Sequence, residues 1–189
     1  MHNLPVLLTR PRIALAPSNL IATPEFTSGW SASNGVLTPN AVSNPNGQMK
    51  GATWRENTAA GTFPYVAIAK AASPVAYRAA VYAKRVVGER NLEIFAQDNV
   101  GFASGVTIKV NLGTGAIMGA AAIFGGYSLP SGSVKRAPNG WWLIELFFTT
   151  NSAIGFNLMP RPIDAAASDS YTGDGVSTVG LWDMSLRAL

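Results

Sequence analysis

Residues 77–97, YRAAVYAKRVVGERNLEIFAQ, decide the fold. Read with a period of two, Tyr77, Ala79, Val81 and Ala83 fall on one face and Arg78, Ala80, Tyr82 and Lys84 on the other. Past the intervening VGER, the pattern resumes with Leu92, Ile94 and Ala96 opposed to Asn91, Glu93, Phe95 and Gln97. This alternation predicts two half-buried strands, the first set of each facing a core. Propensity alone would equally allow YRAAVYAKR a helix.

Outward from this stretch the same grammar recurs. YVAIAKA (65–71), GVTIKVNL (105–112), GWWLIELFFT (140–149), AIGFNLM (153–159) and VGLWDMSL (179–186) read as strands. In the Trp-rich one, Trp142, Ile144, Leu146 and Phe148 alternate with Trp141, Leu143, Glu145 and Phe147. Turn clusters punctuate them at NPNG (44–47), LGTG (112–115), LPSGS (129–133) and APNG (137–140). Short strands at this spacing, with no helical pattern between them, predict an all-β, antiparallel jelly-roll sandwich.

Composition agrees. Of 189 residues, 19 are Gly, 12 are Pro and only 13% are charged, which suits a single turn-dense β domain better than a helical one. With no cysteine, disulfides, thiol nucleophiles and zinc-thiolate sites are all excluded. The formal charge of +4 is scattered; its densest cluster is Lys84, Arg85 and Arg90, so a mildly basic surface is expected and a nucleic-acid partner is not.

Residues 1–18 differ from the rest. Leu4, Val6, Leu7, Leu8, Ile13 and Leu15 are interrupted by Pro5, Pro11 and Pro17 and follow no sustained period. They are too short and too broken for a membrane span of roughly 20 residues, and they do not make a signal peptide. An extended arm is expected, lying against its own domain or a neighbouring subunit, ahead of a jelly-roll domain at 19–189.

The faces opposite the core supply the candidate site. Tyr82, Phe95 and Trp141, mixed with Arg78, Glu93, Gln97 and Glu145, are too polar for a dry core and too aromatic for idle contact with water. Such residues suit a shallow polar groove or a subunit interface. If they share one face, their aromatic rings can stack on sugar rings while the amides, carboxylates and guanidinium hydrogen-bond hydroxyls. Catalysis has less to build on. The lone His2 sits in the arm, there is no Gly-x-Ser-x-Gly elbow, and GTGAIMG (113–119) reads as a hairpin. Glu93 and Glu145 are the carboxylates a fold might pair for glycoside hydrolysis, but among ten acidic residues a chance pairing is expected, so the chain reads as no enzyme.

Several short motifs, taken in order, resemble jelly-roll domains of tailed-phage structural proteins, whose fold is like that of carbohydrate-binding modules. They are NLIATPEFTSGWSASNGVLTPNAVSNPNG (19–47), AVYAKR (80–85), VNLGTGAI (110–117), NGWWLIEL (139–146) and the closing SYTGDGVSTVGLWDMSL (170–186). The resemblance spans residues 19–189 and leaves out the arm. It implies a virion component, such as a capsid decoration, head fibre or tail-associated protein, attached to capsid or tail proteins through the arm and assembled as a homo-oligomer, a trimer by analogy. The alternative it implies is a carbohydrate-binding module for host surface glycan. Relatives that hold a structural calcium would place it here between Glu25 and Asp183, with Met184 standing where they carry a second acid. No other cofactor is implied. Asp169 and Asp174, in the closing turn, read as turn formers.

Overall fold

The computed structural model describes residues 18–61, 63–69, 75–99, 104–119, 121–150, 155–168 and 170–189; the expected arm, up to residue 17, and Asp169 lie outside them. Twelve strands form among the described residues. They are β1 (Ser31–Ser33), β2 (Gly35–Ser43), β3 (Met49–Glu56), β4 (Phe63–Ile68), β5 (Val75–Val87), β6 (Asn91–Asp98), β7 (Gly105–Val110), β8 (Ala122–Phe124), β9 (Tyr127–Arg136), β10 (Trp142–Thr150), β11 (Phe156–Ile163) and β12 (Thr178–Ala188). They build two antiparallel sheets. Sheet A runs β1-β4-β11-β6-β7-β8 and sheet B runs β2-β3-β12-β5-β10-β9. With the peripheral β1, β2, β8 and β9 set aside, the remaining eight strands form β3-β12-β5-β10 and β4-β11-β6-β7, and the chain crosses between the sheets at every step except β6 to β7, as in a double Greek key; the sandwich is a jelly roll. No helix among the described residues is long and apolar enough to cross a membrane.

YRAAVYAKR is therefore strand. Its alternating small and branched residues bury Ala79, Val81 and Ala83 completely against Leu92, Ile94, Ile108 and Ile144, which a helix of the same sequence would spread around its circumference. Each large apolar side chain sealed in this way stabilises the fold by about 1.5–3 kcal/mol.

Two features of the chain's end explain its unusual composition. In β12, Val179 and Leu181 face the core, and simple alternation would send Asp183 in after them. Instead Asp183 takes a left-handed conformation (φ 50°), and the register against β5 slips between Trp182 and Ser185. This bulge shifts the phase so that Met184 and Leu186 are buried. Upstream, Tyr171 and Asp174 close over Glu56, which is 2% exposed at the end of β3. Glu56 accepts hydrogen bonds from Arg90 Nε (3.1 Å to each oxygen), Tyr171 Oη (2.8 Å) and the Asp174 backbone N–H (2.9 Å). The Arg90 guanidinium also lies 4.3 Å from the Tyr171 ring centroid. Asp174 itself accepts from the Ser177 hydroxyl and from the backbone N–H groups of Ser177 and Val176; these bonds, Ser177 first, hold its carboxyl well below the usual range. The Tyr-Thr-Gly-Asp-Gly run thus makes a turn, as expected for Asp174, and together with Arg90 closes over the buried carboxylate at the end of β3.

Candidate functional site

The seven residues singled out in the sequence do face away from the core, but on two different faces. Arg78 and Tyr82 on β5, Trp141 just ahead of β10 and Glu145 on β10 lie on the outer face of sheet B. Glu93, Phe95 and Gln97 on β6 lie on the outer face of sheet A. Alternation separates inside from outside, yet it is silent about which sheet a strand joins; β5 and β6, consecutive in the chain, fall in opposite sheets. Glu93 and Glu145 are consequently on opposite outsides of the sandwich and do not form a hydrolytic pair.

On sheet A the antiparallel register sets out the surface in rows. Asn157 pairs with Gln97, Met159 with Phe95 and Arg161 with Glu93 across β11 and β6, while Ser31 pairs with Tyr65 and Ser33 with Phe63 across β1 and β4. A groove of about 340 Å³ runs over these strands, lined by Ser33, Phe63, Tyr65, Gln97, Asn157 and Met159 among others. Phe63 and Tyr65, both half-buried, stand 6.1 Å apart at 59° and form one wall. The amides of Gln97 and Asn157 stand side by side across the floor, with Met159 buried beneath. Phe95 is not a stacking surface. The guanidinium of Arg161 lies 4.3 Å from its ring centroid and Phe124 packs at its side, which leaves it 5% exposed. Glu93 is likewise enclosed, accepting from the Thr107 hydroxyl and from Arg161 Nε at 2.9 Å, with Lys109 Nζ 3.9 Å away. Its role is to hold Arg161 flat beside the groove.

Sequence reasoning found Gln97 here and missed Phe63, Tyr65, Asn157 and Met159 as a set. The signal was present: Phe63, Tyr65 and Ala67 alternate, as do Asn157, Met159 and Arg161. Pro64, Pro160 and Pro162 concealed it by interrupting strands they in fact occupy.

Sheet B's outer face is organised around Glu145, 4% exposed, which accepts from Arg78 Nε (2.7 Å), Lys135 Nζ (3.0 Å) and the Ser133 hydroxyl. Burial alone would raise its pKa; the bonds from Ser133, Arg78 and Lys135 outweigh that and bring it down to about 2. Trp141 is fully buried, contrary to its expected use as an exposed ring. Its indole N–H donates to Ser43 O at 3.0 Å, its ring edge lies where a Cβ on Gly180 would come within 3.1 Å, and Lys84 Nζ sits 4.8 Å from the ring centroid. Trp141 pins the end of β2 to the sheet. Tyr82 pairs with Trp182, their ring centroids 5.0 Å apart, and both remain half-buried.

The structure also brings Glu25 and Asp183 together. Met184 N–H donates to Pro24 O, which draws the segment before β1 against the bulge. Burial pushes the Asp183 carboxyl up, and the negative charge of Glu25 adds to the rise. No third acidic or imidazole side chain joins them among the described residues, so a calcium held there would draw its remaining oxygens from backbone, amides and water. A second groove, of about 410 Å³ beside Phe26 and Trp30, carries no amide or charged side chain in its lining.

No family model matches the sequence, and no curated protein matches it. Solved structures do. The chain is similar to the CBM22-1 xylan-binding domain of Paenibacillus barcinonensis Xyn10C, with a TM-score of 0.52 and 12% identity over 93% of this chain and 97% of that one. Weaker likeness extends to the CBM22-1 and GH10 modules of Clostridium thermocellum xylanase 10B complexed with xylohexaose (TM-score 0.45, 13% identity, 85% of this chain and 26% of that one). The enzymatically active domain of tailspike protein 4 from bacteriophage CBA120 is also similar (TM-score 0.43, 13% identity, 90% of this chain and 21% of that one). The first of these likenesses establishes a fold like that of carbohydrate-binding modules.

Proposed function

We propose that this protein is a non-catalytic glycan-binding domain whose ligand lies along the groove over β4, β11 and β6. The observation that carries this reading is the placement of Phe63 and Tyr65 beside the paired amides of Gln97 and Asn157. Aromatic faces cover the C–H side of a sugar ring, and amides, each both donor and acceptor, satisfy the hydroxyls around its edge. The likeness in fold to a xylan-binding domain makes xylohexaose a sensible first probe. Calorimetric titration of xylohexaose and a panel of neutral oligosaccharides is expected to find a ligand whose affinity falls at least about tenfold in Tyr65→Ala and in Asn157→Ala, close to the 1.4 kcal/mol that one good contact supplies. Absence of any binding, or binding indifferent to both substitutions, would overturn the reading.

The ordered motifs ending in Tyr-Thr-Gly-Asp-Gly support a setting for this activity, a homo-oligomeric virion component, trimeric by analogy, anchored to capsid or tail proteins through residues 1–18. Deletion of those residues should then release a folded domain from the particle, and full occupancy after deletion would refute the anchor. A structural calcium at Glu25 and Asp183 is proposed separately, on the nearness of the two carboxylates.

A further inference from the structure

We propose that Phe124 is a second sugar-stacking platform beyond the far end of the sheet A groove, so that the ligand is an extended run of neutral sugars lying across the strands from Tyr65 to β8. The inference rests on the glycan-binding reading of that groove and adds its length and direction. Register carries the row onward from the amides: Asn157 pairs with Gln97, Gln97 with Gly105, and Gly105 with Phe124. Residues directly opposite each other in an antiparallel sheet share a face, so Phe124 stands on the same outer face as the groove.

Phe124 lies outside the hydrophobic core, on the edge strand of sheet A. Its ring packs on that of Phe95, centroids 6.0 Å apart and tilted 41°, yet the residue stays 41% exposed. Gly105 makes room for it. A Cβ there would come within 2.7 Å of Phe124 Cζ and 2.8 Å of Phe95 Cε2, so any side chain would push the ring off the row beside Gln97. The position is also fixed from behind. Asp98 N–H donates to Ser104 O at 3.0 Å and Gly126 N–H to Ser104 Oγ at 3.1 Å, which ties the turn after β8 to the start of β7. A ring held in place before the ligand arrives loses little freedom on binding.

Aromatic rings at both ends with amides between them fit a linear chain better than a single sugar. From β4 to β8 the row crosses four strand spacings, about 19 Å at roughly 4.8 Å each. A disaccharide is too short to touch both rings at that separation, and a hexasaccharide is not. The row of Asn157, Gln97, Gly105 and Phe124 holds no charged side chain. Arg161, Glu93 and Lys109 stand together in a separate row, where Arg161 donates to Glu93 at 2.9 Å and Lys109 Nζ lies 3.9 Å from it. Nothing along the path therefore calls for an ionised sugar.

The test compares short and long ligands. Amide chemical-shift titration of the full chain with xylobiose and xylohexaose, or with the dimer and hexamer of whichever neutral glycan the oligosaccharide panel selects, gives the affinities of wild type, Phe124→Ala and Phe124→Leu. Circular dichroism melts confirm that each variant is folded. Hexasaccharide affinity should fall at least about tenfold in Phe124→Ala and about as far in Phe124→Leu, which keeps apolar bulk on Phe95 but not the flat ring. Disaccharide affinity should change less than about twofold, and the amides of Gly105 and Phe124 should shift with the hexasaccharide only. The proposal is overturned if Phe124→Ala holds the hexasaccharide as tightly as wild type, or if Phe124→Leu does. It is also overturned if both lengths lose equally, which would make the ring a prop for Phe95, or if sedimentation shows that Phe124→Ala splits an oligomer, which would make it a subunit contact. Should Tyr65→Ala lose binding while Phe124→Ala does not, the groove stands and only its extension falls. If no oligosaccharide binds the wild type, both fall.

Discussion

The two outer faces of the sandwich are built from the same kinds of residue and put them to opposite uses. On sheet A, an Arg–Glu pair (Arg161 with Glu93) is packed down on Phe95, and the rings and amides beside it, Phe63, Tyr65, Gln97 and Asn157, line an open groove. On sheet B, the corresponding pair (Arg78 with Glu145) stands at the centre, and the largest ring, Trp141, is shut beneath β2. Residue type therefore does not say what an aromatic or carboxylate on a β surface does. Its neighbours across the strands do, because they determine whether a ring face or a polar edge is left for something else.

Five changes would break or sharpen this contrast, beginning with the largest. Glu56→Gln removes the carboxylate beneath the closing latch and leaves the Arg90 guanidinium without its main partner. Its cost should be about 3–5 kcal/mol in urea unfolding, with a cooperative transition retained. Trp141→Ala should cost a similar amount, about 3–5 kcal/mol, because a fully buried ring is lost, while leaving glycan affinity in the folded protein intact. Tyr65→Ala is its mirror image. The ring is half-buried, so about 1 kcal/mol of stability is at stake, whereas binding is expected to collapse. If Trp141→Ala weakened binding as much as Tyr65→Ala does, the distinction between a pinned and a presented ring would be lost.

The fourth change concerns pH. Because the Glu145 pKa is depressed to about 2 from an ordinary 4.5, its ionised form stabilises the fold fully above pH 4.5, and that contribution fades as the pH falls toward 2. The stability gap between wild type and Glu145→Gln, measured by denaturant unfolding, should accordingly be widest near neutrality and shrink through that window. A gap that stayed constant would mean that the carboxylate's charge contributes nothing. The smallest effect is expected from calcium. At about ten times its dissociation constant the ion would add about 1.4 kcal/mol, seen as a higher melting temperature with calcium than with EDTA and absent in Asp183→Asn.

Much of this architecture was legible before any coordinates. Strict alternation in β5, β6 and β10 marked both the strands and their buried faces, and Asp-Gly and Asn-Gly clusters marked several turns. Three kinds of feature were not. Proline hid strand continuations at Pro64 and Pro160, since its missing N–H is tolerated wherever the ladder does not need it. LPSGS, read as a turn, lies inside β9, where Leu129 adopts φ 53° with its side chain in water. In β3 the inward-facing sequence Ala52, Trp54, Glu56 ends on a charge, and only the distant Arg90 and Tyr171 make that burial favourable. The candidate site was half legible for the same reason. Outward-facing residues could be picked out strand by strand, but assigning Gln97 to one face and Tyr82 to the other depends on the double Greek key, a property of the whole chain.

Amide chemical-shift mapping of the full chain titrated with xylohexaose, or with the best neutral ligand from the oligosaccharide panel, tests the central claim most directly. Perturbations are expected to gather at Phe63, Tyr65, Gln97 and Asn157 and to leave Arg78, Tyr82 and Trp182 unmoved. Shifts confined to the sheet B residues, or none anywhere at ligand excess, would contradict it.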